Sequence, residues 1–129
     1  MSEEYSISKK RILVVDDEPD FVKAIHIILE ANNYEVTIAN DGQEGLNLAR
    51  KLRPDLIVLD LMLPKMDGYK VCRFLKFDEK YREIPIIMLT ARGQEEDKNL
   101  GQQMGADAYI IKSEKPEVLL EKIKQLIKT

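Results

Sequence analysis

Five residues that could act together in chemistry stand at the ends of short apolar runs in this chain. Asp16 ends the run RILVVD and Asp17 follows it, and Asp60 ends DLIVLD. Thr90 ends PIIMLT, and Lys112 follows DAYII. Apolar runs of this length are typical of buried strands. If these strands are parallel neighbours, three carboxylates, a hydroxyl and an ammonium group meet in one cleft.

Three carboxylates in one cleft would repel each other, and each would be driven towards its protonated form unless a cation lay between them. Mg2+ suits such a place, because it prefers oxygen ligands and binds through one or two carboxylates together with water and phosphate oxygens. We therefore predict a Mg2+ site at Asp17 and Asp60, with help from Asp16. Zinc is disfavoured because no Cys or His cluster accompanies these residues.

The same residues predict phosphoryl transfer to a carboxylate. The Asp60 oxygen would attack, Lys112 and the cation would offset charge on the transferring oxygens, and Thr90 would hydrogen-bond the product. Each residue has a simpler explanation, since acids before a helix complement its dipole, Thr favours strands and Lys is often solvated. Their joint placement at four of five strand ends favours an aspartyl phosphate at Asp60.

The elements that must position these residues alternate along the chain, as in parallel strands joined by helices. The predicted strands are Arg11–Asp16, Tyr34–Ala39, Asp55–Asp60, Pro85–Thr90 and Asp107–Ile111. The predicted helices are Asp20–Ala31, Gly42–Leu52, Gly68–Phe77, Gln94–Met104 and Pro116–Ile127. The second run alternates in polarity, which predicts an edge strand. Five units favour an open, doubly wound α/β sheet over a closed barrel, and such sheets carry their sites outside the carboxyl ends of the strands.

Size and charge are those of one ordinary globular domain. The chain has 129 residues, with 20 basic against 23 acidic ones and a net charge of -3, so no basic field favours nucleic acid. MSEEYSISKK lacks signal-peptide character, and no apolar stretch reaches membrane-spanning length, so we expect a cytoplasmic protein without membrane contact. Residues 1–10 are predicted to be an extension and 11–129 the domain. The single cysteine, Cys72, is predicted to be buried.

Four segments resemble the hallmark segments of response-regulator receiver domains of two-component signalling, namely VVDDEP, VLDLMLPKMDG, MLTAR and GADAYIIK. The resemblance runs from about Arg11 to Ile127. It implies a flavodoxin-like sheet in the order 2-1-3-4-5 with five flanking helices, an order that this family itself helped to define. It also implies a regulatory phosphorelay protein rather than an enzyme. The donor would be a phosphohistidine on a sensor histidine kinase or on a histidine phosphotransfer protein.

The resemblance assigns a role to each residue of the cleft. Asp60 would be the phosphoacceptor, and Lys112 would pair with the phosphoryl group. Mg2+ would be held by Asp16, Asp17, Asp60 and the backbone carbonyl of Met62.

Thr90 and Tyr109 match the switch pair of the family. Their movement would reshape the face built from the fourth helix, the fifth strand and the fifth helix, and a downstream partner or output domain would respond. Met62 and Arg92, two positions after Asp60 and Thr90, would influence the lifetime of the phosphate.

Ser113 follows Lys112 where the family usually has proline, so we expect a trans peptide bond there, because a non-proline cis bond costs about 3 kcal/mol. Lys112 is then expected to be held less firmly. MLPKMDG and LTARGQEED also resemble receivers attached to DNA-binding output domains, although we expect no nucleic acid binding by this chain itself. A lysine-rich last helix and Ala108 weigh against dimerisation, and both a monomer and a phosphorylation-dependent dimer stay open.

Two alternative functions share parts of this pattern. A haloacid-dehalogenase-type phosphatase would use the same Asp, Thr, Lys and Mg2+, but its motif needs a second Asp two residues after the first, where Met62 stands. A flavodoxin-like electron carrier would need a loop that cradles the flavin phosphate, whereas the negative charge of DDEP would repel it.

Overall fold

The computed structural model describes residues 9–91 and 105–127, which form a parallel sheet with helices on both faces. The strands are β1 (Lys10–Val15), β2 (Tyr34–Ala39), β3 (Leu56–Asp60), β4 (Ile86–Thr90) and β5 (Ala108–Ile111). The helices within these ranges are α1 (Pro19–Ala31), α2 (Gly42–Leu52), α3 (Gly68–Lys76) and α4 (Pro116–Ile127). The helix predicted over 94–104 and the predicted modulator Arg92 lie outside the described residues.

The sheet order is β2-β1-β3-β4-β5, with every neighbouring pair parallel, so the predicted doubly wound α/β fold is confirmed. The chain first adds β2 on one side of β1 and then crosses to add β3 on the other. The winding therefore reverses between β1 and β3, where open sheets of this type form a crevice. As predicted, β2 lies at an edge.

Predicted and observed element ends differ by single residues, and the reason is visible at the amino end of the sheet. Asp55 and Asp107 precede β3 and β5; their backbone N–H groups still donate to Arg11 O and Ile86 O on the neighbouring strands, and their carboxylates accept from backbone N–H groups of the same two residues. The carboxylate of Asp55 accepts from Arg11 N at 2.7 Å, and that of Asp107 accepts from Ile86 N at 2.8 Å. The first strand was predicted to begin at Arg11, but β1 begins one residue earlier, at Lys10, the last residue of the predicted extension.

Two apolar clusters hold the helices to the two faces of the sheet. One joins β1, β3 and β4 to α2 and α3, and the other joins the opposite faces of these strands to α1 and α4. The central strands are buried throughout, which fits their almost wholly apolar sequences. None of the helices within the described ranges is long and apolar enough to span a membrane.

The start of α3 is fitted closely to the end of β3. Asp67 caps the helix by accepting a hydrogen bond from Lys70 N at 2.9 Å. Gly68 follows, and a Cβ atom at this position would lie 2.2 Å from the backbone oxygen of Asp60. Glycine is therefore required here, because only its missing side chain lets the helix approach the backbone of Asp60.

Candidate functional site

The carboxyl edge of the sheet brings the three predicted carboxylates together. Asp16 and Asp17 follow β1, and Asp60 is the last residue of β3. One carboxylate oxygen from each of the three lies within 4.8 Å of the others. Asp16 is fully buried and Asp60 is 6% exposed, whereas Asp17 is open to solvent. The cleft is thus a buried acidic floor with one exposed acidic wall.

Lys112 reaches this floor from the end of β5. Its Nζ lies 3.0 Å from Asp16 Oδ2 and 3.5 Å from Asp60 Oδ2. The residue is also tied to the neighbouring strand, because Lys112 N donates to Thr90 O at 2.7 Å. No cis peptide bond occurs among the described residues, so the bond between Lys112 and Ser113 is trans, as predicted.

Two further residues contact the Lys112 ammonium group. Glu18 forms an ion pair with Nζ, and the ring centroid of Phe21 lies 4.7 Å from it. Glu18 was predicted only as part of the motif VVDDEP, and Phe21 was not predicted as a site residue. The signal that could have found Glu18 is its place as a third consecutive acid beside a predicted lysine site.

Burial dominates the titration of the two buried carboxylates. It raises the pKa of Asp16, despite the hydrogen bond from Glu18 N at 2.9 Å and the proximity of Lys112. It also raises the pKa of Asp60, and the negative charge of Asp16 adds to this increase. Burial alone would lower the pKa of Lys112, but hydrogen bonds to Glu18 and Asp16 and the nearby negative charges outweigh it, and the net shift is upward.

The donor set fits a hard divalent cation. Asp16 Oδ2 is buried and accepts no hydrogen bond within the described part of the chain. Lys112 Nζ lies 3.0 Å away and supplies opposite charge, but it is not aligned for a hydrogen bond to this oxygen. A buried acceptor with unused lone pairs is costly unless a ligand satisfies it. Since all the ligand atoms are carboxylate oxygens, Mg2+ matches their chemistry.

Thr90 and Tyr109, the predicted switch pair, lie on neighbouring strands, and Tyr109 lies opposite Met88, two residues before Thr90. Thr90 ends β4 and is 2% exposed, and Tyr109 lies half-buried in β5. The hydroxyl oxygens of Tyr109 and Tyr69 are 3.2 Å apart, which links β5 to the first turn of α3. Sequence reasoning missed Tyr69, because an aromatic residue at a helix start is indistinguishable from core filler without the partner strand.

Met62 lies at the rim of the cleft. Its backbone N–H donates to Asp60 Oδ1 at 3.1 Å, and the residue is 76% exposed. The loop therefore places a large apolar side chain beside the approach to Asp60.

The fold and the site together define a doubly wound α/β domain that has a cluster of carboxylates and a lysine ammonium group at the crevice where the winding reverses. Residues 12–124 match the family model described as the response regulator receiver domain. The chain belongs to this receiver-domain family of two-component signalling.

Similar proteins agree with the family assignment. The chain is 47% identical over 118 residues to the DNA-binding dual master transcriptional regulator RpaA of a Synechocystis strain, covering 92% of this chain and 49% of that protein. It thus spans about half the length of the curated relatives that it matches.

Solved structures match the chain over nearly its whole length. A response regulator from Chloroflexus aurantiacus is 31% identical with a TM-score of 0.89, over 94% of this chain and 99% of that one. The receiver domain of the sensor histidine kinase PA1611 from Pseudomonas aeruginosa, solved with magnesium in its active-site cleft, is 32% identical with a TM-score of 0.86, over 94% and 99%. Family membership does not support the haloacid-dehalogenase alternative.

Proposed function

We propose that Asp60 is the phosphoacceptor of this receiver domain and takes its phosphoryl group from a phosphohistidine. The observation that carries the proposal is a buried carboxylate at the end of β3, with two acidic neighbours and the Lys112 ammonium group within reach. The regulatory role follows from the covalent state of Asp60, and turnover of a substrate is not part of it.

The transfer forms one bond and breaks one. An Asp60 carboxylate oxygen forms a bond to phosphorus while the phosphorus–nitrogen bond of the donor breaks, and the histidine nitrogen keeps the electron pair. Lys112 then pairs with a phosphoryl oxygen, which offsets the negative charge added to a site that is already acidic. The Thr90 hydroxyl donates a hydrogen bond to the same group.

Asp16, Asp17, Asp60 and the backbone carbonyl of Met62 are the proposed ligands of Mg2+. A bound Mg2+ ion would offset the charge of the carboxylates and of the phosphoryl oxygens and would orient the transferring group. Met62 and Arg92 are proposed to influence how long the acyl phosphate survives, since both follow site residues by two positions.

The output is proposed to pass through Tyr109. Thr90 would shift towards the phosphoryl group, and the ring of Tyr109 would turn inward and change the surface near β5 and α4. The matched Synechocystis relative is described as DNA-binding and is about twice as long. We therefore propose that a downstream output domain or protein partner reads this surface, and that a sensor histidine kinase or histidine phosphotransfer protein supplies the phosphoryl group.

Intact-mass spectrometry after incubation with acetyl phosphate and Mg2+ tests the proposal. The wild type is expected to gain the mass of one phosphoryl group when Mg2+ is present and to gain none when Mg2+ is left out. Asp60→Asn is expected to gain none, whereas Asp20→Asn, which removes an exposed acid from the first turn of α1, should label like the wild type. Normal labelling of Asp60→Asn would contradict the assignment.

A further inference from the structure

Glu18 forms an ion pair with the Lys112 ammonium group, which in the proposed function pairs with the phosphoryl group. We infer that Glu18 is a positioning residue that holds Lys112 in a resting seat beside Asp16, and that the phosphoryl group must displace Glu18 from the Lys112 ammonium group. This inference rests on the proposed function, and it adds that Glu18 competes with the phosphoryl group for Lys112.

At the start of α1, the Glu18 side chain contacts Lys112 and does not cap the helix. Glu18 is the N-cap residue of α1, yet its side chain caps no backbone N–H group and forms the ion pair with Lys112 instead. Its own backbone N–H donates to Asp16 Oδ1 at 2.9 Å, which fixes Glu18 beside the cleft. The backbone is therefore anchored while the carboxylate is turned towards the ammonium group.

The seat lies closer to Asp16 than to the phosphoacceptor. Lys112 Nζ is 3.0 Å from Asp16 Oδ2 but 3.5 Å from Asp60 Oδ2. The Lys112 ammonium group also lies over the ring of Phe21, 4.7 Å from its centroid, a distance at which a cation is attracted to an aromatic face. With Glu18 as its additional partner, the ammonium group is satisfied without a short contact to Asp60.

The contacts of this seat differ in how easily they can be exchanged. Asp16 is fully buried, whereas the Glu18 side chain is 62% exposed, so water and salt screen the Glu18 contact. A phosphoryl oxygen arriving at Asp60 would therefore displace Glu18 from Lys112 and leave the Asp16 contact in place. The exposed carboxylate sets a threshold that the phosphoryl group has to overcome.

The test uses beryllofluoride with Mg2+ as a phosphoryl mimic, titrated against the full chain. Tyrosine fluorescence or amide chemical shifts report binding, and the chain has no tryptophan to obscure the tyrosine signal. Glu18→Gln keeps the side-chain size and removes its charge, and it is expected to lower the midpoint about threefold, which matches an exposed ion pair. Asp20→Asn removes the same charge from an exposed position on α1 and should leave the midpoint nearly unchanged.

A double-mutant cycle separates release of Lys112 from a general decrease in negative charge. In a Lys112→Ala background, whose folding is checked by thermal unfolding, Glu18→Gln is expected to change the midpoint by less than in the wild-type background, close to not at all. An equal decrease in both backgrounds, or an equal effect of Asp20→Asn, would overturn the inference. If the wild type itself gives no response to beryllofluoride, the proposed function fails instead.

Discussion

The Asp60 carboxylate lies in surroundings that oppose its ionisation. It is 6% exposed and faces the buried Asp16, and both carboxyl groups have raised pKa values because burial disfavours their charged forms. Lys112 offsets only part of this cost. The anion, which the proposed phosphoryl transfer requires, is thus held where it is unfavourable without a cation, and we expect the site to depend on its ligands.

This arrangement predicts a pH dependence of stability in EDTA. A carboxyl group whose pKa is raised on folding contributes stability that is complete below the unfolded pKa, near 3.8, and is lost as the pH rises through the folded value. The contribution of Asp60 to the free energy of unfolding should therefore decrease as pH rises above about 4. Asp60→Asn should be more stable than the wild type at neutral pH, with the difference vanishing at the acidic end.

Urea unfolding of the two proteins at a series of pH values measures this difference. Asp78→Asn, on the far side of the molecule, is the control and should follow the wild type. A wild type that gains stability across this range relative to Asp60→Asn would show that the carboxylate is favoured by its surroundings, contrary to this account.

The contact between β3 and α3 is the element that fixes the direction of the Asp60 loop. A Cβ at Gly68 would lie 2.2 Å from Asp60 O and 2.9 Å from Leu61 Cα, both of them backbone atoms that cannot rotate away. Gly68→Ala should therefore displace the helix start and cost about 1–3 kcal/mol, as other overpacked sites do.

Thermal unfolding and acetyl phosphate labelling together measure the effect of Gly68→Ala. Labelling should slow in protein that is still folded, because the loop after Asp60, the proposed phosphoacceptor, has moved. Gln43→Ala, an exposed change in the first turn of α2, is the control. Wild-type labelling by a destabilised Gly68→Ala protein would mean that the loop is positioned independently of α3.

At the opposite edge of the sheet, Lys76 joins the end of α3 to the strands that follow. Its Nζ lies 2.6 Å from Asp107 Oδ2 and donates to the backbone oxygens of Ile84 at 2.8 Å and Arg82 at 3.0 Å. The Lys76 side chain is 10% exposed and that of Asp107 is 36% exposed, so the pair is only partly screened by water.

Lys76→Met preserves most of the side-chain length but leaves these acceptors unpaired, and we expect it to cost about 2 kcal/mol. Lys70→Met, on the exposed side of the same helix, should change stability by less than about 0.5 kcal/mol. Chemical denaturation of both variants makes the comparison, and equal stabilities would mean that the contact contributes nothing net.

The elements themselves were largely predictable from the sequence, and their side-chain partners were not. Apolar runs bounded by Pro, Gly and Asp mark the strands because buried strands need both faces apolar. The contacts of Lys112 with Glu18 and of Tyr109 with Tyr69 join residues far apart in the chain, and no local periodicity encodes them. The strand order likewise came from the family resemblance, since alternation alone fits several orders.

For the molecule as a whole, a cation that binds only the folded cleft stabilises the entire domain. At a free Mg2+ concentration 100 times its dissociation constant, the gain is about 2.7 kcal/mol. The melting temperature should therefore increase with Mg2+ in the wild type. Asp17→Asn is expected to lose most of this increase, while Asp20→Asn, equally exposed and equally charged, should retain it.

Differential scanning calorimetry with Mg2+ or EDTA provides the measurement. A wild type whose melting temperature is unaffected by Mg2+ would remove the proposed cation site. An increase that persists in Asp17→Asn would leave the site but remove Asp17 from it.

The only thiol of the chain belongs to Cys72, which is fully buried on α3, and burial raises its pKa to about 12. Alkylating reagents need an accessible thiolate, so the native fold should be inert to them until the layer over this helix opens. The rate at which Cys72 is alkylated in the wild-type protein therefore measures how often that layer opens. Comparing the alkylation rate with and without phosphorylation would reveal whether phosphorylation makes local opening of the interior more frequent or less frequent.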